Sequence, residues 1–382
     1  MKRRIIGYVV FTFFGYFTIG LALAILPIFV HQDLGYGTMI AGIVISTQYV
    51  TTFFFRGYGG GLVDKKGPKP VIMLSMVGFA ISGTLLAGVH FLGGAPFLSL
   101  VALTFTRLIT GIAEGLLGAS PITWGILATS EGQTARVISF NGIASYGSLA
   151  LGAPLGVIIH RHFGLAGIGV VTTAVGLLGL LYARNKPDLK IQSHAPRQPF
   201  ARVLRQVTPY GICLGLGGIG FGSISTFITL YYAFLNWQGA VLGLSVFSVL
   251  FITGRLVFPN AINRWGGLRT SLVCLSVETL GLLLLWWADT PQMAVAGAGL
   301  AGLGFSLVFP ALGVETVKLV PASNKGSALG AYGLFLDLSL GVTGPLIGAF
   351  AGRFGMRHIY LFAMSLVFCG LIIVLALYRR RK

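Results

Sequence analysis

Apolar residues fill most of the chain in long runs, and the polar residues between them come in short clusters. Crossing a hydrocarbon core takes about 20 apolar residues in a helix. Runs of that length fall near 6–30, 38–62, 70–91, 96–124, 137–159 and 164–183, and again near 208–234, 239–262, 269–288, 291–319, 325–350 and 358–378. The pattern predicts an all-α membrane protein with twelve transmembrane helices. The first run imitates a signal peptide, with Lys2, Arg3 and Arg4 ahead of it and Ala22-Leu23-Ala24 as a cleavage-like site. It continues without a polar break to Val30, too long for a secretory apolar region, so it is read as the first span.

The one polar, basic stretch of any length is 185–206. It divides the chain into an N-terminal six-helix bundle over 1–184, a cytoplasmic linker over 185–206 and a C-terminal six-helix bundle over 207–382. The halves echo each other. Arg56, Asp64 and Gly67 at the end of the second span recur as Arg255, Asn263 and Gly266, all at one spacing. Pro154 and Pro345 mark the fifth span of each half. Weak internal symmetry of this kind is how secondary transporters are built, with the solute site between the repeats.

Composition narrows the class. Only 9% of residues are charged and 55% are hydrophobic, whereas a soluble domain carries about 25% charge. The 56 glycines suit closely packed membrane helices, because small residues let backbones approach. A net charge of +18 would suggest nucleic acid in a soluble chain, but here the basic residues punctuate apolar runs and form no stripe. With the N-terminus inside, 21 of the 27 lysines and arginines lie in cytoplasmic segments and three in outer ones. That bias places both termini in the cytoplasm by the positive-inside rule, in a cell inner membrane. Cys213, Cys274 and Cys369 lie in apolar runs and form no disulfide framework or metal site. No glycine-rich loop ends in Gly-Lys-Ser or Gly-Lys-Thr, so there is no phosphate cradle for ATP. No cofactor, metal or enzyme site is expected.

Gly60-Gly61-Leu62-Val63-Asp64-Lys65-Lys66-Gly67-Pro68-Lys69 resembles the loop signature of the major facilitator superfamily between spans two and three. Asn263, Arg264 and Gly266 stand as its degenerate second copy. Ser139-Phe140-Asn141-Gly142, Phe309-Pro310-Ala311-Leu312-Gly313 and Asp337-Leu338-Ser339-Leu340-Gly341 resemble the arabinose-efflux-permease-like group that includes the bacterial YhhS and YfcJ proteins. The resemblance implies two pseudo-symmetric bundles working by alternating access, with Gly60, Leu62, Asp64, Lys65, Gly67 and Lys69 as a gating motif. Asp64 ends span two, where a carboxylate can sit against the positive N-terminus of a helix in the other half; a solvated charge that only sets topology is the rival. Superfamily antiporters carry a Gly-Pro signature in span five. Here span five has Gly152, Pro154 and Gly156 with Ala153 before the proline, and the nearer match is Gly344-Pro345 with Gly348 in span eleven.

Ionisable groups at bilayer depth are costly and are functional candidates by default. They are Arg56, Arg107, Arg255, Glu114, Glu278 and Asp337, with Glu315 near the inner end of span ten. Arg107 and Glu114 stand seven apart, two turns of one helix face, with Gly111 between them. Glu114 is the leading proton or substrate-cation site, and a structural ion pair with Arg107 is its rival. Asp337 is a second candidate coupling acid. Arg56 and Arg255 either attract an anionic solute or cap helix carbonyls. Glu278, in peripheral span nine, is read as packing or snorkelling, and Glu315 as a partner of Lys318 or Arg264. Trp124, Tyr146 and Phe17 are candidates to line an apolar cavity. These residues point to a proton-coupled secondary transporter, a monomer in the bilayer, that exports a small organic solute by antiport. Uptake of an organic anion by proton symport, or a non-transporting receptor on the same fold, are the alternatives.

Overall fold

Breaks between the apolar runs are made by residues that cannot continue a helix, and they set the element boundaries in the computed structural model of the chain. It describes residues 2–23, 25–26, 29–36, 38–92, 94–129, 132–189 and 198–380. Most of the expected linker's basic centre, including Lys190 and Arg197, lies outside the described residues, as do Arg381 and Lys382. The helices are α1 (Lys2–Leu23), α2 (Thr38–Lys66), α3 (Pro68–Val89), α4 (Pro96–Leu117), α5 (Ser120–Ala128), α6 (Thr134–Arg184) and α7 (Phe200–Phe234). They continue as α8 (Ala240–Val257), α9 (Ala261–Trp265), α10 (Gly267–Trp286), α11 (Pro291–Phe305), α12 (Val308–Lys318), α13 (Lys325–Phe354) and α14 (Ile359–Arg380). No strand occurs among the described residues.

Helix α6, at 51 residues, is about 77 Å long at 1.5 Å per residue, more than twice a bilayer core. It is two spans that meet at Gly164, whose φ of 61° leaves the helical region. Spans four and ten are each broken, as α4–α5 and α11–α12, where the hydropathy pattern predicts continuous runs. Pro121 and Pro310 lie just after the breaks, and a proline has no N–H for the carbonyl four residues earlier. Among the described residues nine helices are long and apolar enough to cross a membrane, the broken pairs counting once each. Counting α6 twice and adding α2 and α8, with α9 as its extension, yields the twelve spans of an all-α membrane protein.

The chain divides into two compact units. The first comprises 1–133, 140–203 and 320–331, and the second 134–139, 204–319 and 332–382. Residues 320–331, which include the first turn of α13, therefore pack within the first unit. In that unit's core, Trp124 is fully buried. It stacks on Phe11 at 5.6 Å and tilts against Tyr8 at 5.2 Å, so it is a packing residue and not the cavity lining expected of it. Gly152 and Gly156 face α1: a Cβ on Gly152 would sit 2.8 Å from the Phe17 carbonyl oxygen, and one on Gly156 would overlap that of Leu21. Pro154 lies between them, inside α6. The second unit's core includes Phe221, Phe247, Phe251 and Phe305 in a run of near-parallel rings.

Gly344 and Gly348, either side of Pro345, have a four-residue glycine spacing that also suits close helix packing, but they meet no neighbouring backbone among the described residues. A Cβ on Gly344 meets nothing within 4 Å, and one on Gly348 reaches only Phe227 at 3.8 Å. The face of α13 around Pro345 is open, so the four-residue spacing has no neighbouring backbone to receive.

Candidate functional site

The buried charges of the first unit gather on the seam between α2 and α4. Glycine makes that seam possible. A Cβ on Gly111 would overlap the Gln48 carbonyl oxygen, and one on Gly115 would stand 2.7 Å from the Cβ of Phe55. With the helices this close, Glu114 faces α2. Its Oε2 accepts from Gln48 Nε2 at 2.9 Å and from the Thr52 hydroxyl at 3.0 Å. Its Oε1 lies 3.9 Å from Arg56 Nη2. All of these side chains are buried.

Arg107 does not pair directly with Glu114, contrary to the ion pair weighed from their spacing. Two turns separate them by about 10.5 Å along the axis, too far for contact between their side chains at one level. Arg107 Nη1 instead donates to Gln48 Oε1 at 3.1 Å, and its Nε lies 3.4 Å from the Thr106 hydroxyl. Gln48 thus bridges the two, accepting from the guanidinium and donating to the carboxylate. The row reads Arg107, Gln48, Glu114, Arg56: two cations, one anion and a neutral relay. Beside it, Arg107, Gln48, Tyr49, Ile19 and Leu26 line a small crevice between α1, α2 and α4.

Arg56 and its symmetry mate Arg255 occupy equivalent places at the two helix breaks. The Arg56 guanidinium lies against Gly118, whose added Cβ would stand 3.4 Å from Arg56 Cζ. Arg255 Nε donates to the Ser306 carbonyl at 2.8 Å, and its Nη1 to the Ser139 carbonyl at 3.2 Å. Ser306 is the residue whose carbonyl Pro310 leaves without its usual donor. Phe251 adds a ring face 4.5 Å from the guanidinium.

The loop signature forms a second cluster. Gly67, at φ 84°, ends α2 and starts α3, with Pro68 at the first helical position, where its missing N–H costs nothing. Asp64 is buried at the end of α2. Its Oδ1 accepts the Gly326 amide and its Oδ2 the Ser327 amide, each at 2.7 Å. These are first-turn donors of α13, which have no partner within the helix. Gly60 permits the approach: its Cβ would lie 2.5 Å from the Gly326 carbonyl oxygen. Leu62 is half-buried and Lys65 exposed. Lys69 Nζ donates to the carbonyls of Arg184 at 2.9 Å and Lys186 at 2.7 Å, closing the end of α6.

In the second copy, Asn263 and Arg264 are exposed, and Gly266, at φ 81°, starts α10. Glu315 takes the capping part there, accepting the Gly267 amide at 3.2 Å and pairing with Lys318 at 2.9 Å. Asp337 is half-buried on α13, in the second unit. Glu278, expected to pack or snorkel, is fully buried and reaches no surface. Gln48 and Thr52 escaped the sequence reading because neutral polar side chains carry no charge to mark them. The run Thr47-Gln48 followed by Thr51-Thr52, on one face of a span, was the available signal.

The family model described as Major Facilitator Superfamily matches residues 8–277 and 244–382. The chain is 52% identical over 379 residues to an uncharacterized MFS-type transporter of Pseudomonas aeruginosa, covering 99% of this chain and 94% of that protein. It is 46% identical over 378 residues to another from Burkholderia pseudomallei, covering 99% and 93%. Its fold is similar to that of the human organic anion transporter MFSD10, with a TM-score of 0.81 at 14% identity over 98% of this chain and 99% of that one. A bacterial homologue of the iron transporter ferroportin in its outward-facing state has a TM-score of 0.83 at 12% identity, covering 98% of each.

Proposed function

We propose, for a chain that belongs to the major facilitator superfamily and is a multi-pass membrane transporter, that transport is proton-coupled export of a small organic solute by alternating access. The protein sits in the cell inner membrane with both termini in the cytoplasm. The observation that supports coupling is Glu114: a buried carboxylate held by two neutral donors and a cation at 3.9 Å. As the one acid in the row, it is the group for which a proton and a solute would compete. The Asp64 contact to the first turn of α13 is the gate: it holds while the cytoplasmic side is shut and breaks as the carrier turns inward.

A second reading has its own observation. Arg107 bonds only to neutral partners among the described residues, so the row carries one cation more than its anion balances. That surplus favours an organic anion, which uptake by proton symport would also accommodate. The direction of proton flux accompanying the solute separates the two.

The test is a thermal-shift screen of the purified protein in detergent, comparing sugars, organic anions, cationic drugs and small metabolites in wild type and Glu114→Gln. A ligand at about 100 times its Kd stabilises by roughly 2.7 kcal/mol. We expect a ligand whose shift depends on pH in wild type and loses that dependence in Glu114→Gln. Identical shifts in both proteins across pH would make Glu114 a structural residue.

A further inference from the structure

Glu278 is used by none of the above, and it is the most isolated ionisable group among the described residues. It lies in the middle of α10 at 0% exposure. Neither carboxyl oxygen has a hydrogen-bond partner. The space it occupies is cut from α7 by glycine: a Cβ on Gly220 would overlap Oε1, and one on Gly217 would stand 3.3 Å from Oε2. On the other side Gly304 brings α11 against the Glu278 backbone, where an added Cβ would lie 2.7 Å from its Cα. Leu275, Leu282, Phe305 and Val367 of α14 close the slot with apolar side chains.

Of the elements packed on α10, α12 carries Glu315 and Lys318 and α9 carries Arg264. Glu315 bonds at Gly267 and Lys318 pairs with it, eleven residues and about 16 Å along the helix from Glu278. Helix α11 has no titratable residue. Those of α7 are Arg202 and Arg205 at its start, Tyr210 and Cys213 further along, and Tyr231 and Tyr232 at its far end; α14 has Tyr360, Cys369, Tyr378, Arg379 and Arg380. On α10 itself Arg269 is exposed at the first turn, and Cys274 lies one turn before Glu278. None of these bonds to it. An ionised carboxylate in such a slot would lack both a counter-ion and a donor, an arrangement that proteins avoid by neutralising the group.

We propose that Glu278 is a proton-binding site of the second unit, separate from the row around Glu114. It holds its proton while the slot between α7 and α10 is shut and releases it to water when the slot opens. As a step in transport this rests on the proton-coupled reading above. As a protonation site it is tested without any solute, so the two can fail separately.

Infrared spectra of the purified full-length protein report the carbonyl stretch of a protonated carboxyl, which an ionised one lacks. Glu278→Gln, close in shape to the neutral acid, identifies the band. We expect a band at neutral pH that is absent from Glu278→Gln, is lost from wild type as the pH is raised, and persists in Glu114→Gln. A second measurement needs no variant. Dicyclohexylcarbodiimide adds a protonated carboxyl across its C=N bond, and the O-acylisourea rearranges to an N-acylurea that retains the whole reagent. Peptide mass spectrometry should find this adduct on Glu278 at neutral pH and lose it in step with the band. Two results overturn the proposal: no Glu278 band or adduct at neutral pH, which makes the group ionised, or a band unchanged to the alkaline limit of folding, which makes it a permanently neutral filler.

Discussion

Replacing Asp64 by asparagine removes one acceptor and one charge while keeping the side chain's shape. The two carboxylate oxygens accept the Gly326 and Ser327 amides at 2.7 Å each. Asparagine has a single oxygen, so one amide loses its acceptor and meets an NH2 group instead. A hydrogen bond to a charged group contributes about 1.5–3 kcal/mol. The carboxylate's attraction to a buried helix N-terminus adds up to about 2 kcal/mol. A combined loss of about 3 kcal/mol corresponds to roughly a hundredfold in an equilibrium constant. The readout is hydrogen exchange by mass spectrometry on peptides covering 320–331, since amide protection measures local opening. In Asp64→Asn the protection of Gly326 and Ser327 should fall about a hundredfold, while that of α11 should stay as in wild type. Lys65→Gln, at an exposed neighbour, should change neither. Protection at Gly326 and Ser327 within a few-fold of wild type would falsify the claim that the carboxylate holds them.

Two further predictions concern packing. Gly152→Ala places a methyl 2.8 Å from the Phe17 carbonyl oxygen and should cost about 1–3 kcal/mol by overpacking, seen as a lower Tm in detergent. Gly344→Ala, with nothing within 4 Å of the new methyl, should leave Tm unchanged or raise it slightly, as alanine is the better helix former; equal losses in both variants would contradict the assignment of faces. Arg255→Met strands the Ser306 and Ser139 carbonyls, at about 1–3 kcal/mol for each buried group left unsatisfied. Its Tm should fall accordingly, and Arg255→Lys should recover only part, since lysine lacks the fork that reaches two carbonyls.

Twelve spans were legible from hydropathy because the bilayer fixes a minimum length for each apolar run. The breaks within spans four and ten were not, since Pro121 and Pro310 interrupt hydrogen bonding without interrupting hydrophobicity. Arg56, Arg107 and Glu114 stood out as charges in apolar runs, but their mutual arrangement did not. A spacing of seven tells which residues share a helix face and says nothing of the neighbouring helix. It is α2 that fills the 10 Å or so between Arg107 and Glu114 with Gln48, and sets Thr52 and Arg56 against the carboxylate. Gly344 and Gly348 illustrate the opposite error. The same spacing serves close packing at Gly111 and Gly115, yet on α13 it faces open space, and only the fold distinguishes these cases.

The contacts by which Asp64 holds the start of α13 run to main-chain amides, which shapes how their loss can be repaired. Where two side chains form a contact, a defect in one can be rescued by a complementary change in the other, and charge-swap pairs reveal the partnership. Here no codon change at Gly326 or Ser327 alters the N–H groups being recognised, short of proline, which would delete one. A selection for suppressors of Asp64→Asn should therefore return no allele-specific partner at those positions. It should return true revertants, or distant substitutions that shift the conformational balance by other means. The pairing would be invisible to charge-swap genetics, even though it is among the most closely made contacts in the chain.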